Sequence, residues 1–329
     1  MNSISDDSLI LHHQKHFTSQ GKLLPFGVYD KLFDNTQTKE WDDDGFLLKR
    51  RRTQRKCWLY FGAFSEDLFT GMAIIDAGMV ATAFAYFYIP SENLFVEDKI
   101  TLPLGFKDDF DPNLFDSWKL GNYSINSQGK KISLSYSGKF HSKIETTEND
   151  AGLSFLCPSK ERPFNFTYKN LLLNTTIQIE YKGKTYSAKG NIGGIDFSKG
   201  FPPRETFWNW ASIIGTTENG KPIGINLVDG HNGNLENAVW IGHQRVCTSK
   251  ANFSMKKPYD KNNWDINTTD GIIDMKLTPY GARSENLNII AMKSLFTQPF
   301  GKVIGTVTLD GKTINFKGFG VVEDHIAVW

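Results

Sequence analysis

Cysteine is the first thing this sequence lacks. Its three residues in 329, Cys57, Cys157 and Cys247, lie far apart, are odd in number and show no CxxC spacing. That pattern excludes a disulfide framework and a zinc knuckle, and it predicts a reducing, cytoplasmic setting. Charge of one sign is missing too. Lys and Arg total 37 against 36 Asp and Glu, so no global field recruits nucleic acid or an anionic membrane. No apolar run is long enough for a membrane helix. The richest stretch, GMAIIDAGMVATAFAYFYIP, is interrupted by Asp76 and two glycines and is dense in aromatics, which suits buried strands. The start, MNSISDDSLILHHQKHF, has no hydrophobic region of signal-peptide length. GxGxxG, P-loop, GxSxG and HExxH motifs are absent, which removes support for nucleotide, serine-hydrolase and zincin mechanisms and leaves no cofactor to assign.

Helical periodicity is also scarce, with residues 5–17 and 283–293 as the two short stretches that show it. His12, His13 and His16 fall in a polar terminal segment and are assigned no metal. What the sequence does have is strand patterning. Aromatic and β-branched residues alternate with polar ones in short runs divided by Gly, Asn and Asp. TTIQIEYKGKTYSAKG and GTVTLDGKTINFKG read as hairpins reversing at Lys182-Gly183 and Asp310-Gly311.

Those hairpins share a GKTxxxKG pattern, beginning at Gly183 and at Gly311. Two further matches keep the same order. YSINSQGKKISLSY (123–136) aligns with WDINTTDGIIDMKL (264–277), and CWLYFGAFSEDLFTGMAIIDAG (57–78) with FWNWASIIGTTENGKPIGINLVDG (207–230). A tandem duplication follows, and with it the fold class: all-β, two antiparallel lipocalin-like barrels or bent sandwiches with few short helices. The predicted division is an N-terminal segment, 1–39, a first β domain, 40–198, and a second, 199–329, parted by the Gly- and Pro-rich GGIDFSKGFPPRE. Barrels of this size hold side chains or one small ligand, and 13% aromatic residues are enough to line an apolar cavity or to fill a core.

Residues that differ between the copies are the functional candidates. Superposing the GKTxxxKG motifs sets Asp324 against Asp196, which reads as a repeated turn or cap residue, but Glu323 against Ile195 and His325 against Phe197. Alternation puts Glu323 and His325 on one strand face with Asp324 on the other, unless Gly318 and Gly320 introduce a bulge. A carboxylate beside an imidazole is the apparatus of general acid/base chemistry; two such residues on a solvated stripe would do nothing. Trp208 and Trp210 share one face of an earlier strand while Glu205 and Asn209 share the opposite one, Asn226 replaces Ala73 of the first copy, and the loop DGHNGNLEN brings His231 and Glu236. His231, Glu236, His243 and His325 lack metal-ligand spacing. The run KRRRTQRK, with Arg50, Arg51 and Arg52, reads as a solvated strand edge, or as a site for a phosphate, an anionic headgroup or a protein partner.

Through RKCWLYFGAFSEDLF, FWNWAS, GINLVDG, Leu235-Glu236-Asn237 and the terminal EDHxAxW, residues 20–329 resemble a bacterial and fungal family catalogued as domain of unknown function 2804. The resemblance implies no activity and carries over no catalytic residues. The doubled barrel is more distantly similar to tandem lipocalin-like proteins: carotenoid 1,2-hydratases, tocopherol cyclases and AttH-type proteins. In such enzymes an acidic side chain protonates an alkene in an apolar cavity. By that analogy Glu323, Glu205 or Asp324 is the acid, with Trp208 and Trp210 as π faces beside developing positive charge. Two readings of function stand at this point. One is binding of a lipophilic small molecule in a barrel cavity or the cleft between halves. The other is a cofactor-independent isomerase, hydratase or cyclase acting on an isoprenoid-like substrate.

Overall fold

The computed structural model describes residues 26–329 apart from 31, 34, 39–52, 104, 107–109, 160–161, 231 and 290–291. The candidates Arg50, Arg51, Arg52 and His231, and the helical stretch 5–17, lie outside the described residues. The chain divides into two compact units, the first reaching residue 63 and resuming over 67–203, the second comprising 64–66 and 204–329.

Unit 1 runs through β1 (Gly27–Tyr29), β2 (Lys56–Phe64), β3 (Phe69–Asp76), β4 (Val80–Ile89), β5 (Leu94–Pro103), β6 (Trp118–Leu120), β7 (Tyr123–Gln128), β8 (Lys131–Ser137), β9 (His141–Thr147), β10 (Leu153–Ser159), β11 (Arg162–Tyr181) and β12 (Lys184–Gly200). Unit 2 runs through β13 (Glu205–Thr217), β14 (Pro222–Gly230), β15 (Ala238–Ile241), β16 (Gln244–Cys247), β17 (Ala251–Met255), β18 (Trp264–Thr268), β19 (Ile273–Ile289), β20 (Met292–Leu309) and β21 (Lys312–Val328). Each unit is one curled antiparallel sheet. The orders are β5-β4-β3-β2-β12-β11-β9-β8-β7-β6, with β10 and β1 attached beside β11, and β16-β15-β14-β13-β21-β20-β19-β18-β17. Counted outward from the central long hairpins, β11–β12 and β20–β21, the two orders match, with β6, β10 and β1 as strands of unit 1 that have no counterpart in unit 2. This is the all-β, duplicated lipocalin-like fold read from the sequence.

Both central hairpins turn where the sequence places them. Lys182 and Gly183 have φ of 48° and 77°, Asp310 and Gly311 of 51° and 73°, the positive pair that a two-residue type I′ turn needs. The described residues of 283–293 are not helical. Residues 283–289 continue β19 and residues from 292 begin β20, paired from Ile273↔Val307 out to Ile289↔Met292. The following strand satisfies the backbone groups directly, and this ladder outweighs a weak local helical period. The middle repeat match is also displaced. It equates β7–β8 with β18–β19, whereas the sheet order sets β8–β9 against β18–β19. A turn glycine between alternating strands carries too little information to fix which hairpin it belongs to.

The two cores differ in make-up. Unit 1 buries Phe33 stacked on Phe166 at 4.9 Å, Phe87 edge-on to Phe140 at 4.9 Å, and Trp118 edge-on to Phe197 at 5.9 Å. These aromatics pack on one another. Unit 2 buries a mainly aliphatic set that includes Ile213, Ile225, Leu227, Val239, Val303 and Val322.

The basic run ends inside unit 1. Arg55 and Lys56 are buried, not solvated. Arg55 Nη1 reaches Asp111 at 2.9 Å and Arg55 Nη2 reaches Asp76 at 2.6 Å, while Lys199 meets Asp111 at 2.7 Å. Burial alone would push the Asp111 carboxyl up, but Lys199 and then Arg55 hold it below the usual carboxylate range. A carboxylate held low stabilises the fold fully above its unfolded value, about pH 4, and loses that contribution as pH falls through the folded value. Asp111→Asn is expected to cost about 3–5 kcal/mol in urea unfolding at neutral pH, because two buried cations lose their shared partner. It is also expected to flatten the acid limb of the stability profile relative to wild type.

Candidate functional site

The site is built by three adjacent strands of unit 2. In the register of β13 with β21, Trp208 faces His325 and Trp210 faces Glu323; in that of β20 with β21, Phe296 faces His325. The β13–β21 ladder is unbroken from Glu205↔Val328 to Thr217↔Phe316, so no bulge at Gly318 or Gly320 alters the facing. Gly320 instead allows close approach: a Cβ there would lie 2.1 Å from the Ser212 carbonyl oxygen. Alternation then puts Trp208, Trp210, Glu323, His325, Ser294, Phe296 and Gln298 on one face of the sheet. Ala211, Ile213 and Val322 point the other way, into the apolar core.

Glu323 is 6% exposed, and donors engage both its oxygens. Trp208 Nε1 donates to Oε1 at 2.8 Å and Gln298 Nε2 donates to Oε2 at 3.0 Å. Arg283 Nη1 donates to Gln298 Oε1 at 3.3 Å. A guanidinium only donates, so it holds the Gln298 oxygen towards itself and the amide nitrogen towards Glu323. Arg283 also lies over the Phe296 ring, 5.3 Å from its centroid.

His325 links this carboxylate to Ser294. Its Nδ1 is 3.3 Å from Glu323 Oε1 and its Nε2 is 2.9 Å from Ser294 Oγ. The ring sits between Trp208, centroid distance 4.2 Å, and Phe296, 5.3 Å. Side-chain exposure rises from 8% at Glu323 to 13% at His325. The line Glu323–His325–Ser294 can pass a proton in either direction, since a neutral imidazole offers one donor and one acceptor and the serine hydroxyl is both.

The remaining candidates stand around this group or on the other face of the sheet. Asn209 and Asp324 share the core-side face, with Asn209 Nδ2 donating to Asp324 Oδ1 at 3.0 Å and to the Glu323 carbonyl at 3.3 Å. Trp210 shares the site face and donates to Asn226 Oδ1 at 2.8 Å; Asn226 Nδ2 in turn donates to the Glu236 carbonyl at 2.8 Å. Glu236 is buried, with Asn232 donating to its Oε1 at 3.2 Å. Glu205 is exposed, opposite Val328 on the core-side face. Among the described residues no group of His, Cys, Asp and Glu is arranged to hold a metal ion. Burial pushes the Cys57 thiol up to about 12, which makes it an inert core group and not a nucleophile.

Gln298, Ser294, Phe296 and Arg283 are not among the sequence candidates; of the four, Arg283 alone lies in the stretch 283–293 whose weak helical period suggests a short helix. The spacing 294, 296, 298 is the signal that would have exposed the other three as one strand face. Unit 1 supplies a second correction. On β12 Ile192 and on β11 Leu172 are each left out of the ladder, which keeps the same pairing on both sides, Asn174↔Asn191 and Leu171↔Gly194; each strand holds one extra residue, so its facing shifts by one against the sequence count. Beyond this point, Asp196 pairs with Tyr60 and Lys169, in the place where Glu323 pairs with Trp210 and aligns with Gln298. Glu323 therefore corresponds to Asp196, not to Ile195. In unit 1 the carboxylate is held by Lys169 at 2.5 Å; in unit 2 an amide stands where that lysine would be.

A family model matches residues 8–329. The chain belongs to the family described as a domain of unknown function, DUF2804. No curated protein sequence matches the DUF2804 chain. Among solved structures it is similar to a putative AttH from Nitrosomonas europaea, with 13% identity, 83% of this chain and 92% of that chain covered, and a TM-score of 0.55. It is also similar to kievitone hydratase from Nectria haematococca, with 12% identity, 84% and 89% covered, and a TM-score of 0.54. At these identities the likeness is one of fold.

Trp208→Phe keeps a ring in place but removes the donor to Glu323 Oε1. Urea unfolding is expected to show a loss of about 1.5–3 kcal/mol, the range for a hydrogen bond to a charged group. Combined with Glu323→Gln, the loss is expected to fall short of the sum of the two single changes.

Proposed function

We propose that the DUF2804 chain binds a lipophilic, unsaturated small molecule against the aromatic rim of unit 2, and that Glu323 and His325 exchange a proton with it in a cofactor-independent hydration, isomerisation or cyclisation. The observation that carries this reading is the buried Glu323 carboxylate in contact with a half-buried imidazole flanked by Trp208 and Phe296. A carboxylic acid beside apolar surface can protonate an alkene, and electron-rich ring faces stabilise the cation that forms. Gln298 supports the assignment, because an amide leaves the carboxylate without the fixed positive partner that Lys169 gives Asp196. The fold shared with kievitone hydratase supports a hydratase within this range. Trp208, Trp210, Phe296 and Ser294 are the ligand-facing residues of the proposal, and Asn209, Asn226 and Glu236 hold the strands and loop around them. Absence of a helix long and apolar enough to cross a membrane among the described residues, together with three free cysteines, fits the proposed cytoplasmic setting.

Native mass spectrometry of gently purified wild type and Glu323→Gln tests both parts. The expected result is a co-purifying lipophilic molecule in each, with the two species differing by one water or by an isomerisation seen on chromatography. No adduct in either protein contradicts binding; the same compound, unchanged, in both contradicts catalysis by Glu323.

A further inference from the structure

Unit 1 carries a polar cluster that the proposal above does not use, on the core side of β11. The Tyr168 hydroxyl donates to Glu148, and Asn170 Nδ2 donates to the Tyr168 oxygen at 3.0 Å and to the Asn149 carbonyl at 2.9 Å. Asn149 closes the group by donating to the Leu171 carbonyl at 2.8 Å. Ser154 on β10 lies directly opposite Tyr168, whose other neighbour across β12 is Phe197. Burial pushes the Glu148 carboxyl above its usual range.

Two polar atoms in or beside this cluster have no partner among the described residues. Asn170 and Ser154 are both fully buried, yet Asn170 Oδ1 and Ser154 Oγ make no hydrogen bond. Buried polar atoms are seldom left in that state, because each has given up its hydration for nothing. The backbone beside them is unusual as well. Leu172 has a φ of 60°, in the left-handed region, at the point where β11 breaks register with β12. Such strain persists where the surroundings hold it, and it gathers at binding sites. Gly152 leaves room for the Tyr168 hydroxyl, since a Cβ there would come within 2.2 Å of that oxygen.

We propose that Asn170 Oδ1 and Ser154 Oγ are the recognition pair of a second binding site, which takes the hydroxyl group of a small, uncharged ligand. A hydroxyl is the smallest group that donates to Asn170 Oδ1 while accepting from the Ser154 O–H. An anion is opposed by the Glu148 carboxyl and the Asn170 oxygen. An aromatic or other apolar body suits the neighbours, Phe197 across from Tyr168 and Tyr29 across from Ser154. Half-buried Glu148, Asn149 and Ala151 mark the approach from the surface.

Phenol is the probe, titrated calorimetrically into the full chain and into Ser154→Ala, with thermal unfolding of both. Wild type is expected to bind phenol saturably, and Ser154→Ala to bind it roughly tenfold more weakly, the effect of one lost neutral hydrogen bond. The melting midpoint of Ser154→Ala is expected to equal or exceed that of wild type, because the removed hydroxyl has no partner in the fold. Equal affinity in the two proteins, or no binding by wild type, overturns the proposal. So does a lower midpoint for Ser154→Ala, which is the mark of a hydroxyl satisfied by a trapped structural water.

Discussion

The register of β21 between β13 and β20 is the constraint on which the candidate site depends. Side chains along a strand alternate with a period of two, so a slip of one residue would turn Glu323 and His325 into the apolar core and bring Val322 out. Two features pin the register. The Asp310-Gly311 turn sets where β20 and β21 begin to pair, and the close approach at Gly320 locks β21 against β13 just ahead of Glu323. Everything at the site follows from that alignment. Trp208 is near enough to donate to the carboxylate, Phe296 flanks the imidazole, and Gln298 reaches the second oxygen.

Duplication then explains why the site is in one unit. Both copies place a carboxylate at the same point of the same strand, Asp196 in one and Glu323 in the other. In unit 1 a lysine closes the pair, as Lys199 and Arg55 do for Asp111 nearby, and such paired buried ions are fixed structural elements. In unit 2 the lysine is exchanged for Gln298, whose orientation Arg283 sets through its oxygen. Among the described residues the carboxylate keeps its donors without a lysine or arginine bonded to it, and His325 is placed to share its proton.

Much of this was legible from alternation alone. The all-β class, both central hairpins, the pairing of Trp208 with Trp210 on one face and the opposition of Glu323 to Asp324 all rest on the two-residue period, which survives in a single strand. What alternation does not contain is partnership between strands. The bulge at Ile192 shifted the comparison of copies by one residue, so Glu323 was set against Ile195 although Asp196 is its counterpart. Reading 283–293 as a helix hid Arg283 outright. The buried ends of the basic run, Arg55 and Lys56, carry no local mark that distinguishes them from solvated neighbours, because their partners Asp76, Asp111 and Ala77 are distant in sequence.

Whether the Glu323 face of unit 2 receives a lipophilic ligand is decided by a crystal structure of the chain with the compound it retains on purification. An unsaturated carbon of that compound is expected in van der Waals contact with Trp208 or Phe296, with Glu323 or His325 as the nearest ionisable group. A ligand lodged elsewhere, with Glu323 enclosed by protein side chains alone, would contradict the proposal.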